Sequence, residues 1–151
     1  MTMFPAHETI ASPANPRIRA AAALREADAR RATGLTLVDG RRELARALAG
    51  GTDVVEVFAA AEGVTDDALD ALLATLEQAG ARIARVAPRA FDRVAYGSRN
   101  EGLVGVVRFA ARTLAAVSFV PGRPVMLVEG VEKPGNLGAI LRTADAAGLA
   151  G

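Results

Sequence analysis

The feature that most constrains the fold of this sequence is a regular alternation of strand-like and helix-like segments up to residue 110. Short β-branched or alternating runs predict strands, and Ala- and Leu-rich runs that end near a glycine predict helices. A chain with this alternation folds as a sheet covered by helices. We therefore predict a small three-layer α/β/α domain. The predicted strands are 35–39, 53–60, 82–87 and 102–110, and the predicted helices are 16–34, 41–50, 66–80 (capped by Thr65) and 88–95.

The chain divides into four parts by composition. Residues 1–12 are interpreted as a flexible tail, and 13–110 as the domain described above. Residues 111–124 hold two prolines and a glycine without a clear period, which predicts a linker. Residues 125–151 begin a second α/β unit. There VMLVE is apolar almost throughout, as in a central parallel strand. The helix that follows has a predicted core stripe of Leu137, Ile140, Leu141, Ala144 and Gly148.

Composition excludes several kinds of chemistry. The chain has no cysteine, which rules out disulfides, thiolate zinc sites and a cysteine nucleophile. His7 is the single histidine and lies in the predicted tail, so neither a Ser-His-Asp triad nor a histidine metal site is expected. We predict no metal. The N-terminus lacks the order of a signal peptide, and no apolar stretch is long enough for a membrane span. We therefore expect a cytoplasmic protein.

The charges are segregated along the chain although the net charge is only +1. Residues 51–79 hold seven acids and no basic residue, whereas 1–50 and 80–124 hold eight arginines each. A codon bias towards arginine accounts for the near absence of lysine but not for this segregation. Basic faces of this kind can bind phosphates. We interpret the acidic segment as a solvated helix face turned away from such a ligand.

The last helix carries two polar residues that are candidates for a site. Asn136 is placed to cap its N-terminus, and Arg142 is expected to lean back over the small residues Gly138 and Ala139. A helix start beside a guanidinium is a site for a phosphate or carboxylate. The same pattern also fits a capped helix with a solvated arginine. Neither a P-loop nor a Rossmann fingerprint matches, because only Gly135 and Gly138 are correctly spaced.

Three stretches of the sequence resemble one family. EGVEKPGNLGAILRTADAAG, with the pattern E-x-x-x-x-P-x-N-x-G-x-x-x-R-T-A, is similar to the first motif of the SpoU/TrmH family of RNA 2′-O-ribose methyltransferases, which belong to the knotted SPOUT class. SPANPRIRAAAALREADARRATGLTLVDGRREL and YGSRNEGLVGVV resemble the L30e-like substrate-binding extension of that family. The resemblance implies an L30e-like α/β/α domain followed by the first β-α unit of a knotted Rossmann-like methyltransferase domain.

The resemblance also implies roles for the C-terminal residues. Arg142 would activate the ribose 2′-hydroxyl or bind the adjoining phosphate, and Asn136 would hold the catalytic loop in shape. The cofactor S-adenosyl-L-methionine would bind in a trefoil knot formed by motifs beyond Gly151, through which family members dimerise. We therefore expect 125–151 to be the truncated start of the catalytic domain, and this chain alone to be inactive.

For the first domain the resemblance implies structured RNA as the partner, ribosomal RNA in preference to transfer RNA. The matching RNA-binding positions are Gly40, Arg41 and Arg42 in one turn and Arg99 and Asn100 in another. Arg17 and Arg19 form a third candidate pair. Each arginine also fits an ordinary solvated surface residue. With one tyrosine and no tryptophan, recognition of phosphates and shape is favoured over base stacking.

Two other functions fit the same residues. One is a non-catalytic L30e-like RNA-binding module. The other is a small phosphate-ligand α/β protein that uses the helix start at Asn136 and has no connection with RNA. Cofactor binding by a longer chain favours the methyltransferase over both alternatives. Nucleotide binding by this chain favours the phosphate-ligand protein.

Overall fold

The computed structural model describes residues 8–62, 66–96, 101–109, 115, 119–131 and 134–151. The chain forms two compact units, residues 1–110 and 111–151. In the part that is described, no helix is both long and apolar enough to cross a membrane. The elements of the first unit are β1 (Glu8–Ile10), α1 (Pro16–Ala23), α2 (Ala27–Thr33), β2 (Leu35–Asp39), α3 (Arg41–Ala49), β3 (Val54–Ala60), α4 (Asp67–Gln78), β4 (Arg82–Val86), α5 (Pro88–Phe91) and β5 (Leu103–Arg108).

The five strands form one mixed sheet in the order β1-β4-β3-β5-β2. β3 and β4 are parallel, as are β1 and β4, whereas β5 is antiparallel to both of its neighbours, β3 and β2. The sequence predicted four of these strands. Their order in the sheet differs from their order in the chain.

Hydrophobic residues fill both faces of the sheet, because successive strand residues point to opposite sides. Phe58 and Val104 pack in one cluster with residues of α1 and α5. The residues immediately before them, Val57 and Leu103, pack in a second cluster with α3 and α4. The predicted three-layer α/β/α arrangement is therefore confirmed.

A glycine in β5 sets the distance between α3 and the sheet. Gly105 lies directly under Leu44 of α3, and a Cβ atom at this position would overlap Leu44 Cδ2. Leu44 is fully buried, so its side chain has little room to move aside. The small residue at 105 thus lets α3 approach the sheet closely and places the turn that precedes this helix.

The predicted flexible tail contains a strand. Glu8–Ile10 form β1, which pairs with β4 in parallel register and buries Ile10. The three residues of this strand are too few to show a period in the sequence, and they are stabilised by an edge that only the folded sheet provides. The tail prediction is wrong for these residues.

The predicted helix 16–34 is two helices. α1 ends at Ala23 with the buried Leu24 as its C-cap, and α2 starts at Ala27. Arg30 compensates the break, because its Nη1 donates to the carbonyl oxygens of Leu24 and Arg25 at 2.9 and 2.6 Å. The sequence gives no sign of this break, because the Ala-rich composition continues across it. At the break the side chain of Arg25 turns towards Ala95.

The start of α4 also differs from the prediction. Its N-cap is Asp66, whose side chain accepts a hydrogen bond from the Leu69 N–H at 2.7 Å. Thr65, the predicted cap, lies outside the described residues. A carboxylate at this position suits the positive end of the helix dipole at least as well as a hydroxyl does.

Within the residues described, the second unit contains one α-helix, α6 (Pro134–Ala146). Residues 125–129, predicted as a central strand, have no regular secondary structure, and two backbone hydrogen bonds of 2.9 Å join this part of the chain to Ala150 and Gly151. A central strand needs neighbours on both sides and a layer on each face. The side chains of Leu127 and Leu141 are 94% and 60% exposed, so the predicted core stripe is not buried here.

Candidate nucleic-acid interface

The turn between β2 and α3, the Gly40 turn (residues 39–42), is built on a glycine. Gly40 has a φ of 111°, which side chains with a Cβ atom rarely adopt, and it is buried. Its N–H donates to the Leu103 carbonyl at 3.0 Å, and its carbonyl accepts the first helical hydrogen bond from Leu44. The turn is thus held at the edge of the sheet where β2 ends and β5 begins.

Carboxylates already occupy the start of α3. The Arg41 N–H donates to Glu101 Oε2 at 3.0 Å, and Glu43 Oε2 lies 2.6 Å from where a Cβ atom of Gly40 would be. A helix N-terminus attracts any anion. Here Glu101 holds the Arg41 amide, so the anion at this helix start is a carboxylate of the chain itself.

The two arginines of the turn have different surroundings. Arg41 is partly buried: its Nη1 forms an ion pair with Asp66 Oδ2 at 2.7 Å, and its Nε donates to the Glu101 carbonyl at 3.3 Å. The pKa of Asp66 is lowered, first by the Leu69 N–H and then by Arg41. Arg41 therefore ties α3 to the start of α4 and to the segment before β5.

Arg42 is 71% exposed and pairs with Glu43 of the same helix, with its Nη2 at 2.9 Å from Glu43 Oε1. This hydrogen bond is the main cause that lowers the pKa of the Glu43 carboxyl. Exposed pairs of this kind contribute little free energy, about 0–1 kcal/mol. The Arg42 guanidinium can therefore exchange Glu43 for another anion at small cost.

A group that the sequence did not predict lies at the same edge. Asp39 Oδ2 accepts a hydrogen bond from the Tyr96 N–H at 2.6 Å. The Arg25 guanidinium donates to the Ala95 carbonyl and lies 5.0 Å from the centroid of the Tyr96 ring. The described residues around the adjoining cavity, of about 350 Å³, are Arg25, Asp92, Ala95 and Tyr96. The one available signal was that Tyr96 is the single tyrosine of the chain.

We expect Asp39→Asn to gain stability relative to the wild-type protein as pH rises from about 4 to 7. Burial, opposed by the Tyr96 N–H, raises the pKa of Asp39, so the folded protein loses stability as this carboxyl ionises. Asparagine keeps an oxygen for the Tyr96 N–H and does not titrate. Urea unfolding at a series of pH values measures the difference. Glu43→Gln is the control of opposite sign, since the pKa of Glu43 is lowered. A difference for Asp39→Asn that is constant with pH would contradict the assignment.

The remaining RNA-binding candidates are placed differently. Arg17 is largely buried and pairs with Glu56 of β3, its Nε donating to Oε1 at 2.6 Å. This ion pair argues against Arg17 as an RNA contact. Arg19 is exposed on α1. Arg99 and Asn100 lie outside the described residues, but Glu101, which follows them, is next to the Gly40 turn.

In the second unit, Arg142 leans towards the N-terminus of α6 as expected. Its Nη1 lies 3.4 Å from the position that a Cβ atom of Gly138 would take. The N-cap prediction for Asn136 is wrong, since the helix starts at Pro134 and Asn136 is its third residue. Proline is favoured at the first helical position because it has no N–H to satisfy. Both Asn136 and Arg142 are exposed.

Comparison with known proteins identifies the first unit. Residues 15–105 match the family model described as the MRM3-like substrate binding domain. The 23S rRNA (guanosine-2'-O-)-methyltransferase RlmB of Bordetella pertussis is 39% identical over 90 residues, which are 56% of this chain and 36% of that protein. RlmB of Pasteurella multocida is 37% identical over 101 residues, 64% of this chain and 41% of the relative.

Solved structures agree over a longer stretch. A crystal structure of an RNA 2'-O ribose methyltransferase has a TM-score of 0.75 and 33% identity, covering 93% of this chain and 53% of that one. The SpoU methyltransferase AviRb of Streptomyces viridochromogenes, in complex with its cofactor AdoMet, has a TM-score of 0.75 and 25% identity, covering 91% of this chain and 51% of AviRb. This chain thus spans about half the length of these structures. It belongs to the MRM3-like substrate-binding domain family, and its resemblance to the SpoU/TrmH methyltransferases is confirmed.

Proposed function

We propose that this chain is the RNA-binding N-terminal part of an S-adenosylmethionine-dependent 2′-O-ribose methyltransferase that acts on ribosomal RNA. The observation that carries the proposal is the convergence of the Gly40 turn, Glu101 and the Arg25–Tyr96 pair at one edge of the sheet. The relatives support the substrate, because RlmB is named for 23S rRNA. A cytoplasmic location accords with such a substrate.

We assign different roles to the two arginines of the turn. Arg41 is held by Asp66 and Glu101 and keeps the turn in position. Arg42 is presented to solvent beside a weakly held partner and forms the phosphate contact. A guanidinium binds phosphate with two parallel N–H···O bonds, which also orients the RNA backbone.

We expect Arg41→Ala/Arg42→Ala to weaken binding of a structured ribosomal RNA hairpin about tenfold at moderate salt, and to reduce the slope of log affinity against log salt by about 1, the value for one phosphate contact. Fluorescence anisotropy with the labelled hairpin, repeated with duplex DNA of equal charge, measures both quantities. Arg108→Ala is the matched control. This arginine also forms an exposed ion pair, with Asp53, but lies at the opposite end of β5. Equal losses for the two variants, or equal affinity for hairpin and duplex DNA, would count against the interface.

For the whole enzyme we assign Arg142 to the ribose 2′-hydroxyl or the adjoining phosphate, and Asn136 to the shape of the loop before α6. A guanidinium offers five N–H donors and no acceptor, so it acts by orienting the hydroxyl and stabilising negative charge on its oxygen rather than as a base. Both side chains are exposed on one helix, with Arg142 leaning back over Gly138 towards the helix start, where a substrate can reach them.

The described residues of the second unit do not form a cofactor pocket by themselves. S-adenosylmethionine needs a cavity that encloses most of its surface, whereas the side chains of Val125, Leu127 and Leu141 are exposed to solvent. In our proposal the cofactor binds to further parts of the enzyme. The exposed apolar residues fit our further proposal of a homodimer that forms through the complete catalytic domain.

A further inference from the structure

The Tyr96 group, which consists of Arg25, Asp39 and Tyr96, is more organised than a surface tyrosine requires. Asp39 anchors the backbone of Tyr96, and Arg25 is anchored to the Ala95 carbonyl while it covers the ring. The ring is thus held from the backbone and from one face. Tyr96 nevertheless remains 50% exposed.

This group lies next to the Gly40 turn. Asp39 is a member of the group and also the residue before Gly40, and the charges of Glu101 and Arg25 both affect the pKa of its carboxyl. The exposed Arg42 follows two residues later. An aromatic ring and a phosphate-binding guanidinium are therefore presented by one short stretch of the sheet edge.

We propose that Tyr96 is a stacking platform for a single unpaired base of the bound RNA, with Arg25 supporting the ring from its covered side. The inference rests on the proposed function and deepens it, since it names an unpaired nucleotide rather than a duplex as the recognised element. Proteins recognise single-stranded loops by stacking splayed bases on aromatic rings and arginine planes. The adjoining cavity of about 350 Å³ has the size of a small-molecule site.

The alternative is a purely structural role, in which the Arg25–Tyr96 contact holds the break between α1 and α2 against the segment after α5. In that case Tyr96→Ala would lower the thermal midpoint without a selective effect on RNA. The two roles differ in one direct observable, which is whether the environment of the ring changes when RNA binds.

The sequence offers a reporter for this observable. Tyr96 is the only tyrosine and the chain has no tryptophan, so with excitation at wavelengths that phenylalanine does not absorb, the intrinsic fluorescence of the protein comes from this ring alone. The experiment measures the fluorescence lifetime of the 151-residue chain, which absorption by RNA does not distort. One titration uses a ribosomal RNA hairpin with unpaired purines in its loop, and the other uses a fully paired RNA duplex of the same length. Anisotropy of labelled RNA gives the affinities in parallel.

We expect the lifetime to fall at saturation with the hairpin and to stay unchanged with the duplex. Tyr96→Ala should weaken hairpin binding about tenfold and duplex binding less than twofold, while Tyr96→Phe keeps the wild-type affinity. Hairpin binding with an unchanged lifetime and with equal affinity of Tyr96→Ala would overturn this inference and leave the proposed function standing. Absence of binding to either RNA would overturn both.

Discussion

In the full-length methyltransferase that we propose, Arg142→Ala should lower the rate of methyl transfer about 100- to 1,000-fold. The physical reason is that a preorganised donor loses its charge and hydrogen bonds at the atom where negative charge develops. The guanidinium is preorganised because it lies over Gly138, in the first turns of α6. Single-turnover transfer of a labelled methyl group to ribosomal RNA measures the effect, with RNA and cofactor affinities determined separately.

The controls test the geometry as well as the charge. Arg142→Lys keeps the charge but not the planar fork, and we expect it to recover only part of the rate. Arg123→Ala is the matched control, because it removes another arginine of the second unit that lies beside a glycine, Gly148. If Arg142→Ala raised KM for RNA while kcat stayed the same, Arg142 would be a binding residue and the catalytic assignment would fail.

Glu56→Ala should destabilise the first unit by about 3 kcal/mol, the lower end of the range for breaking a buried ion pair. Glu56 is the buried charged residue of β3. The pairing of β3 with β5 shifts its register between Val54 and Glu56. Its side chain is 10% exposed and that of Arg17 is 20% exposed. Removal of the carboxylate leaves the largely buried charge of Arg17 without its acidic partner on β3. Urea unfolding followed by circular dichroism gives the free energy of unfolding.

A neighbouring acid provides the control for this prediction. Asp53 lies just before the same strand and pairs with Arg108 at 2.9 Å, but both side chains are exposed. We expect Asp53→Ala to cost at most about 1 kcal/mol. The double variant Arg17→Met/Glu56→Leu should recover most of the loss, since apolar residues of similar volume replace buried pairs well. Equal losses for Glu56→Ala and Asp53→Ala would show that burial of the pair is not the cause.

The candidate interface was predictable in part. The Asp-Gly-Arg-Arg turn was identified through the resemblance to the L30e-like extension, and the structure places it at the end of β2. The occupant of the helix start could not be predicted. Glu101 is 60 residues away along the chain, and only the pairing of β2 with β5 brings it to the Arg41 amide. Tyr96 was underestimated for the same reason, because Asp39 and Arg25 meet it only in the fold.

The charge pattern was also predictable only in part. The segregation of arginines and acids along the chain suggested separate basic and acidic faces. In the fold three of the seven acids of residues 51–79 instead pair with arginines from the two flanking segments: Asp53 with Arg108, Glu56 with Arg17 and Arg82, and Asp66 with Arg41. The interpretation of the acidic segment as a solvated helix face is therefore wrong for these three residues.

Local patterns were enough to predict the layers of the first unit, the approximate bounds of its main helices and strands, and the turn before α3. Those features follow from hydrophobic period, caps and glycines, which act within a few residues of each other. The order β1-β4-β3-β5-β2, the strand at the N-terminus and the partners of each charged group became known only from the folded structure. These depend on groups that are distant in sequence and meet only when the sheet closes, and no local pattern records which of them will be neighbours.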